Sequence, residues 1–300
     1  MNRPDLLKAC LEGLYAYNRT PMEVWVVAYR YSEQNLSALR RAWPDVNVIE
    51  SGGVRGFAEN NNLALRQVRG EFVFIVNDDT EMAMPVVDRL VQDMDGLGGR
   101  VAAVSPKIVF PSGKVQTSGR APWTMARYMR HYLHWVDERR PTRWSMQRGL
   151  FRTWTLNGAC FLARTEAFRK AGWFDERFFF TPEDIALGDT FNALGYEVYA
   201  DADVAIVHLA GGTAGSMEAA IKPARVRGAM LYYAGDHPRR RALLGRFIRA
   251  VEGLRCLKYR IIGHRSGRKA LMYRTARNVR ESVFSQETPK EIFIKYSAEL

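Results

Sequence analysis

Three cysteines in 300 residues, at positions 10, 160 and 256, are too few, too isolated and odd in number for a disulfide framework or a zinc site. They read as buried thiols of a reducing compartment. No apolar run approaches the roughly 18–20 residues that a transmembrane helix requires. The start, Met1-Asn2-Arg3-Pro4-Asp5, shows no apolar segment of the signal-peptide kind. Acidic residues are scarce in the last quarter: residues 222–300 hold 19 Lys/Arg against 6 Asp/Glu, net +13. Residues 1–221 hold 25 against 26, net −1, so the whole excess of +12 lies at the C-terminal end. Such a charge block points to an acidic surface as partner. Nucleic acid and anionic membrane both qualify, but the block lacks a recognisable nucleic-acid-binding motif, which ranks nucleic acid last. What is present, 47% hydrophobic and 25% charged residues, suits one large soluble domain or a domain with an appendage.

The chain is organised around Phe72-Val73-Phe74-Ile75-Val76-Asn77-Asp78-Asp79-Thr80. Five apolar residues running into two acids read as a strand buried on both faces of a parallel sheet. Ligands of such sheets sit outside the carboxyl ends of the strands, where Asn77, Asp78 and Asp79 would emerge. Adjacent acids repel unless a cation or hydrogen-bond donors compensate them. Mg²⁺ takes one or two carboxylates plus substrate phosphates, so a metal–diphosphate site is one reading. A polar turn, with Asp and Asn bonding their own backbone, is the other.

Around this stretch, strands and helices alternate. Helices are expected near residues 5–16, 34–43, 57–68 and 84–95, and strands near 22–29, 46–50, 72–76 and 101–104. That order predicts a doubly wound α/β sheet. Lys107–Gln116, with Pro111-Ser112-Gly113-Lys114 as its turn, reads as a hairpin. Residues 120–150, rich in Arg, Trp, Tyr and Met, read as a long loop, of the kind that serves as a lid or as plain variable surface. Arg120, Trp123, Arg127 and Arg130 are its candidate acceptor contacts. In Thr181-Pro182-Glu183-Asp184, Thr181 can cap a helix, and both acids suit the positive end of its dipole. A helix start therefore accounts for these acids without any catalysis. Strands near 197–200 and 204–207 lead to His208, with Gly211-Gly212 just beyond. A lone histidine is more often structural, yet this one ends a strand beside glycines that let a ligand approach. From about Ser216 the chain reads as helical. Leu243, Leu244, Phe247, Ile248, Val251 and Leu254 form one apolar stripe among arginines, suited either to a membrane interface or to packing on the body.

Taken together these stretches resemble family-2 glycosyltransferases of the GT-A fold, in particular their rhamnosyltransferase-like branch. The likeness spans about residues 2–235 and rests on seven pieces in order. They are N-R-P-D-L-L-K-A-C-L, G-F-A-E-N-N-N, V-N-D-D-T, P-K-I-V-F-P-S-G-K-V-Q, N-G-A-C-F-L-A-R, G-W-F-D-E-R-F-F-F-T-P-E-D and H-L-A-G-G-T. The resemblance implies a Rossmann-like, mostly parallel GT-A fold; with the charge block it divides the chain into a GT-A domain over residues 1–221 and a basic helical extension over 222–300. It implies Asp79 on an Mg²⁺ or Mn²⁺ ion, with Asp78 helping at the ribose or the metal and His208 completing the metal or diphosphate site. Asn61, Asn62 and Asn77 would lie near the nucleotide, and Gly158 would leave room for the sugar. Asp184 would be the general base, with Glu183 as the alternative. The implied reaction is direct inversion from a dTDP- or UDP-sugar, dTDP-rhamnose among them, to a polysaccharide or lipid-linked glycan at the inner face of the cell membrane.

Two departures stand out. The family opens with a strand directly before N-R-P, and Met1 stands in its place. The next strand, which in the family ends on an acid near the base, here ends Val27-Ala28-Tyr29-Arg30-Tyr31-Ser32. The first departure predicts a strand-shaped slot beside Phe72–Val76, and a native reading frame that starts upstream. Together they leave a second function open, a catalytically silent subunit of this fold that binds a partner or a membrane.

Overall fold

The computed structural model describes residues 3–136, 142–209, 217–263 and 267–298 of the chain. The first half runs α1 (Pro4–Tyr17), β1 (Trp25–Tyr29), α2 (Glu33–Ala42), β2 (Asn47–Ser51), α3 (Phe57–Leu65), β3 (Phe72–Val76), β4 (Thr80–Glu81) and α4 (Val86–Leu97). Next come β5 (Val101–Val109), β6 (Val115–Thr117), α5 (Met125–Tyr132), β7 (Leu150–Thr153), β8 (Cys160–Arg164) and α6 (Thr165–Lys170). Then follow α7 (Glu183–Ala193), β9 (Glu197–His208), α8 (Glu218–Ala234), α9 (Pro238–Ile261), α10 (Gly267–Ser282) and α11 (Pro289–Ser297). Local chemistry accounts for many of these bounds. Pro4 opens α1, where its missing N–H costs nothing, and Leu7, Cys10, Leu11 and Leu14 form its buried stripe. Ser32 and Thr124 cap α2 and α5 by accepting hydrogen bonds from Asn35 N and Arg127 N.

The main sheet is mixed, which corrects the mostly parallel sheet expected from the resemblance. Its order is β3-β8-β5-β9-β4, with β6 on β5 and β7 on β9. β5 and β9 pair in parallel, but β8 lies antiparallel to both β3 and β5 and is wedged between them. β3 and β5 run the same way because α4 carries the chain back between them, the crossover that parallel strands need. β7 and β8 both run opposite to β5 and β9, which makes the sheet mixed. The hairpin expected at 107–116 is present as β5–β6, and the two strands expected within 197–207 are one continuous β9. The segment 120–150 is not all loop, because it contains α5 and reaches β7.

β1 and β2 form a separate parallel pair. Between β1 and β3 lies a cavity of about 700 Å³, lined by Trp25, Val26, Val27 and Tyr29 on one side and Phe72–Val76 on the other. Leu7, Leu11 and Leu14 of α1 and Leu65 of α3 also line it. The registers show which backbone groups face this slot. Thr165 N bonds Glu71 O and Asn77 N bonds Ala159 O, so the odd residues of β3 pair with β8. Phe72, Phe74 and Val76 therefore turn their N–H and C=O groups toward the cavity. Asn47 N bonds Val24 O and Arg30 N bonds Ser51 O, so Trp25, Val27 and Tyr29 do the same from β1.

The C-terminal helices share cores with the rest of the chain. Ile185 of α7 packs with Val226, Met230, Leu244 and Ile248, and Phe179 packs with Ala220, Ile221, Ile292 and Phe293. The boundary expected at residue 221 falls inside α8. The stripe expected on α9 is divided: Leu244 and Ile248 are fully buried, while Leu243 and Leu254 are 55% and 69% exposed.

Candidate active site

β3 delivers Asn77, Asp78 and Asp79 to the edge of the sheet, and a set of hydrogen bonds fixes the turn that follows. Asn77 N donates to Ala159 O (2.9 Å), Thr80 Oγ1 to Asn77 O (2.8 Å), and Leu209 N to Asp79 O (3.0 Å). Thr80 pairs with His208 across β4 and β9. The turn reading of this stretch thus holds for the backbone, and it leaves the Asp79 carboxylate aimed at His208. Asp79 Oδ1 lies 3.2 Å from His208 Nε2, with both side chains mostly shielded from water. Asn77 Nδ2 is 3.5 Å from the same ring nitrogen.

His208 Nδ1 is 2.8 Å from Gln116 Oε1. An amide oxygen only accepts, so Nδ1 carries the proton and Nε2 faces Asp79. In the neutral ring, two lone pairs then confront each other at Asp79 and His208, and a cation is what reconciles them: a proton on the ring or a divalent ion. Burial pushes the Asp79 carboxyl up, but the hydrogen bond and charge of His208 outweigh it and bring it below its ordinary value. Asp78 goes the other way, raised by burial and by the neighbouring Asp79 charge. Among the described residues no group of three or more His, Cys, Asp or Glu converges as a metal site. The pair fits a hard ion only where substrate phosphates complete the coordination, as is usual for Mg²⁺. Gln116 ends the P-K-I-V-F-P-S-G-K-V-Q stretch, where nothing in the local sequence marks a role for it. Its part is to fix the His208 tautomer, and only the pairing of β5 with β6 and β9 reveals it.

The second acidic centre is Asp184, in the first turn of α7. Its Oδ2 accepts from Arg120 Nη1 (2.8 Å) and from Gly158 N (3.1 Å), and its Oδ1 from Ile185 N (2.8 Å). Arg120 also donates to Leu156 O (3.1 Å). Helix α7 reaches this position because Gly188 lies against Thr155, where an added Cβ would come within 2.2 Å of the threonine hydroxyl. Thr155 Oγ1 in turn donates to Asp184 O. Thr181, expected as the cap, is not: Pro182 holds the cap position and makes no side-chain cap hydrogen bond. The two acidic centres meet on adjacent residues, since Gly158 N holds Asp184 while Ala159 O holds Asn77.

Asn61 lines the slot, as Asp78 does, and donates to Phe57 O (2.9 Å). Asn62 is buried, donating to Phe174 O and Glu176 Oε1 and accepting from Phe174 N, so both amide hydrogens are spent on the fold. Glu183 is buried, with burial and the Asp184 charge pushing its carboxyl well above the ordinary range. Of the acceptor contacts expected in 120–150, Arg120 reaches Asp184, and Arg127 lies over the Trp123 ring. Gly211 and Gly212 lie outside the described residues.

Residues 1–170 match the sequence profile of glycosyl transferase family 2. The chain is 31% identical over 222 residues to the O-antigen biosynthesis protein RfbC of Myxococcus xanthus, covering 69% of this chain and 16% of that protein. It therefore spans about a sixth of that relative's length. It is 26% identical over 239 residues to the N-acetylglucosaminyl-diphospho-decaprenol L-rhamnosyltransferase of Mycobacterium tuberculosis strain H37Rv, covering 69% of this chain and 73% of that one. Among solved structures, the mannosyltransferase PcManGT from Pyrobaculum calidifontis, in complex with GDP-Man and Mn²⁺, superimposes with a TM-score of 0.52 at 17% identity. That alignment covers 99% of this chain and 77% of the mannosyltransferase, and at this identity it shows the α/β GT-A fold alone.

Proposed function

The chain belongs to glycosyl transferase family 2, and from that premise we propose that it is an inverting enzyme acting on a nucleotide-diphosphate sugar. The donor is a dTDP- or UDP-sugar, with dTDP-rhamnose the first to test given the rhamnosyltransferase relative. The acceptor is a hydroxyl of a polysaccharide or lipid-linked glycan. The observation that carries this reading is the junction at Gly158-Ala159, which holds the diphosphate-side residue Asn77 and the base candidate Asp184 side by side. Asp184 takes the proton from the acceptor hydroxyl as that oxygen bonds to the anomeric carbon. The bond from that carbon to the diphosphate breaks, and the nucleoside diphosphate departs with the electron pair. Arg120 and Gly158 N–H hold the carboxylate in one orientation throughout. Asp79 and His208 would hold an Mg²⁺ or Mn²⁺ ion, which supplies charge neutralisation at the leaving diphosphate. Glu183, buried with a raised pKa, is the weaker base candidate.

A competing reading, a catalytically silent subunit, draws on the slot between β1 and β3, which reaches Asn61 and Asp78 beside the proposed donor site. A thermal-shift panel of nucleotide sugars, with and without Mn²⁺, followed by assay of nucleoside diphosphate release, separates the two. Mn²⁺-dependent stabilisation with release supports the enzyme. Stabilisation by no donor, with or without the ion, supports the silent subunit.

A further inference from the structure

The outer face of α9 carries a row of aliphatic side chains that no described residue covers. Leu243, Leu254, Leu257 and Ile261 are 55%, 69%, 54% and 76% exposed. At 3.6 residues per turn these four positions fall within an arc of about 60°, over an axial length of roughly 27 Å. Leu244, Gly245, Ile248, Glu252 and Cys256, the buried positions, lie on the opposite face. Helix α9 is thus two-sided, its inner face seated on the body and its outer face open.

The inner seat is firm. Glu252, fully buried, bonds Lys222 Nζ of α8 (2.8 Å), Arg255 on its own helix and the Tyr132 hydroxyl of α5. Leu244 and Ile248 sit in one core with Met230 of α8 and Val279 of α10. The outward leucines cannot therefore turn inward without breaking this seat. Exposed cations border the row: Arg239, Arg240 and Arg246 toward one end, Lys258 toward the other. Across residues 222–300 the balance is 19 Lys/Arg to 6 Asp/Glu.

We propose that the outer face of α9 docks on an anionic lipid bilayer, with Leu243, Leu254, Leu257 and Ile261 entering the interface and the flanking arginines and lysine meeting lipid phosphates. A long, rigidly seated helix with an aliphatic row and cationic flanks is the chemistry of in-plane interfacial binding. Charge complementarity selects an anionic surface, because cations near such a surface gain from its negative potential. Nucleic acid would use the cations but would leave the aliphatic row in water, so it accounts for half of the face. No helix among the described residues is long and apolar enough to cross a membrane, so the contact lies in the plane of the interface. The docking also has a consequence for geometry. Tyr132, at the end of α5, bonds Glu252 on the inner face of α9, and Arg120, twelve residues earlier, bonds Asp184, so the seat of α9 and the acidic centre are joined by one short stretch of chain.

Vesicle co-sedimentation of the full chain, with phosphatidylcholine alone and with added phosphatidylglycerol, tests this without any sugar donor. Binding should require the anionic lipid and weaken with salt. The triple variant Leu254→Glu, Leu257→Glu, Ile261→Glu alters only exposed positions and should keep the wild-type circular dichroism and melting temperature. Its partition coefficient should fall by about tenfold or more. Unchanged binding by the variant overturns the proposal, as does equal binding to both vesicle types. Tight binding to duplex DNA with no vesicle binding overturns it in favour of nucleic acid.

Discussion

The Arg120–Asp184 pair offers the sharpest test, because it makes stability and turnover answer separately. Replacing Arg120 with Met leaves the Asp184 carboxylate with only Gly158 N–H and Ile185 N–H, and leaves Leu156 O short of a donor. Breaking a fully buried ion pair costs about 3–5 kcal/mol. Here the two side chains retain 18% and 13% exposure, which lowers the expectation to about 2–3 kcal/mol. For a chain of 300 residues that is a fall in melting temperature of roughly 3–5 °C. Asp184→Asn should cost about the same, since it strands the guanidinium and turns an amide N–H toward a donor. The double variant should then cost little more than either single one, a coupling of about 2 kcal/mol in urea unfolding. Turnover follows different logic. Asp184→Asn removes the base and should lower it by about 10²–10⁴, while donor affinity by calorimetry stays near wild type. Arg120→Met keeps the carboxylate but frees its orientation, and should cost nearer tenfold. Additive stabilities would refute the pairing. Full turnover in Asp184→Asn, or donor affinity lost along with turnover, would refute the base assignment.

Asp79→Asn should abolish the Mn²⁺-dependent part of donor affinity, because a neutral amide is a poor ligand for a hard cation; unchanged ion dependence in calorimetry returns Asp79 to a turn role. Gln116→Leu removes the acceptor on His208 Nδ1 and should weaken the same ion-dependent affinity by about 10–100-fold with little change in melting temperature. For Glu183, whose carboxyl is raised by burial and by Asp184, the sign is that of a buried acid. Its neutral form is favoured in the fold, so stability falls as pH rises from about 4.3 through the folded-state pKa. Glu183→Gln should match wild type near pH 4 and melt higher at pH 8, and equal melting curves at both pH values would show that the site tolerates the charge.

How far the sequence could be read depended on what each residue's role requires. Phe72–Val76 was legible to the residue because a five-residue apolar run ending in acids has few other uses. The acids Asp79 and Asp184 were visible for the same reason, as charges at element ends. Their partners were not. Gln116 meets His208 across 92 positions, and Arg120 meets Asp184 across 64, so no local pattern marks either pair. Asn62 shows the converse. Its motif, Asn60-Asn61-Asn62, suggests a polar ligand site, whereas its amide is spent on the backbone at Phe174. The antiparallel β8 escaped because Cys160-Phe161-Leu162-Ala163 is apolar at every position, and an apolar run carries no mark of strand direction. On α9 the apolar positions could be counted from sequence, but which of them faces the body is set by α8 and α10.

The slot between β1 and β3 carries the last prediction. Three residues on each edge, Trp25, Val27 and Tyr29 against Phe72, Phe74 and Val76, turn backbone donors and acceptors into a largely apolar cavity. Backbone groups in such a setting are stabilised by partners, and each net hydrogen bond gained is worth about 1 kcal/mol. Both edges run five residues, so one extended segment of that length would pair with both at once. Its side chains would alternate between α1 and α3, whose leucines line the two faces. Fusing a five-residue β-branched segment ahead of the chain through a short linker should therefore raise the melting temperature by about 5 °C or more. The same segment with a central proline, which lacks the N–H and cannot sit in an interior strand, should give none of that gain. Amide exchange supplies the direct readout: protection should appear at Phe72, Phe74 and Val76 and at Trp25, Val27 and Tyr29, and not at the odd residues of β3, which β8 already protects. Equal stabilisation by both fusions, or protection at neither edge, would show that the cavity is not a strand site. Because Asn61 and Asp78 line the same cavity, filling it should also tighten donor binding, and a stabilised protein with unchanged donor affinity would place the nucleotide elsewhere.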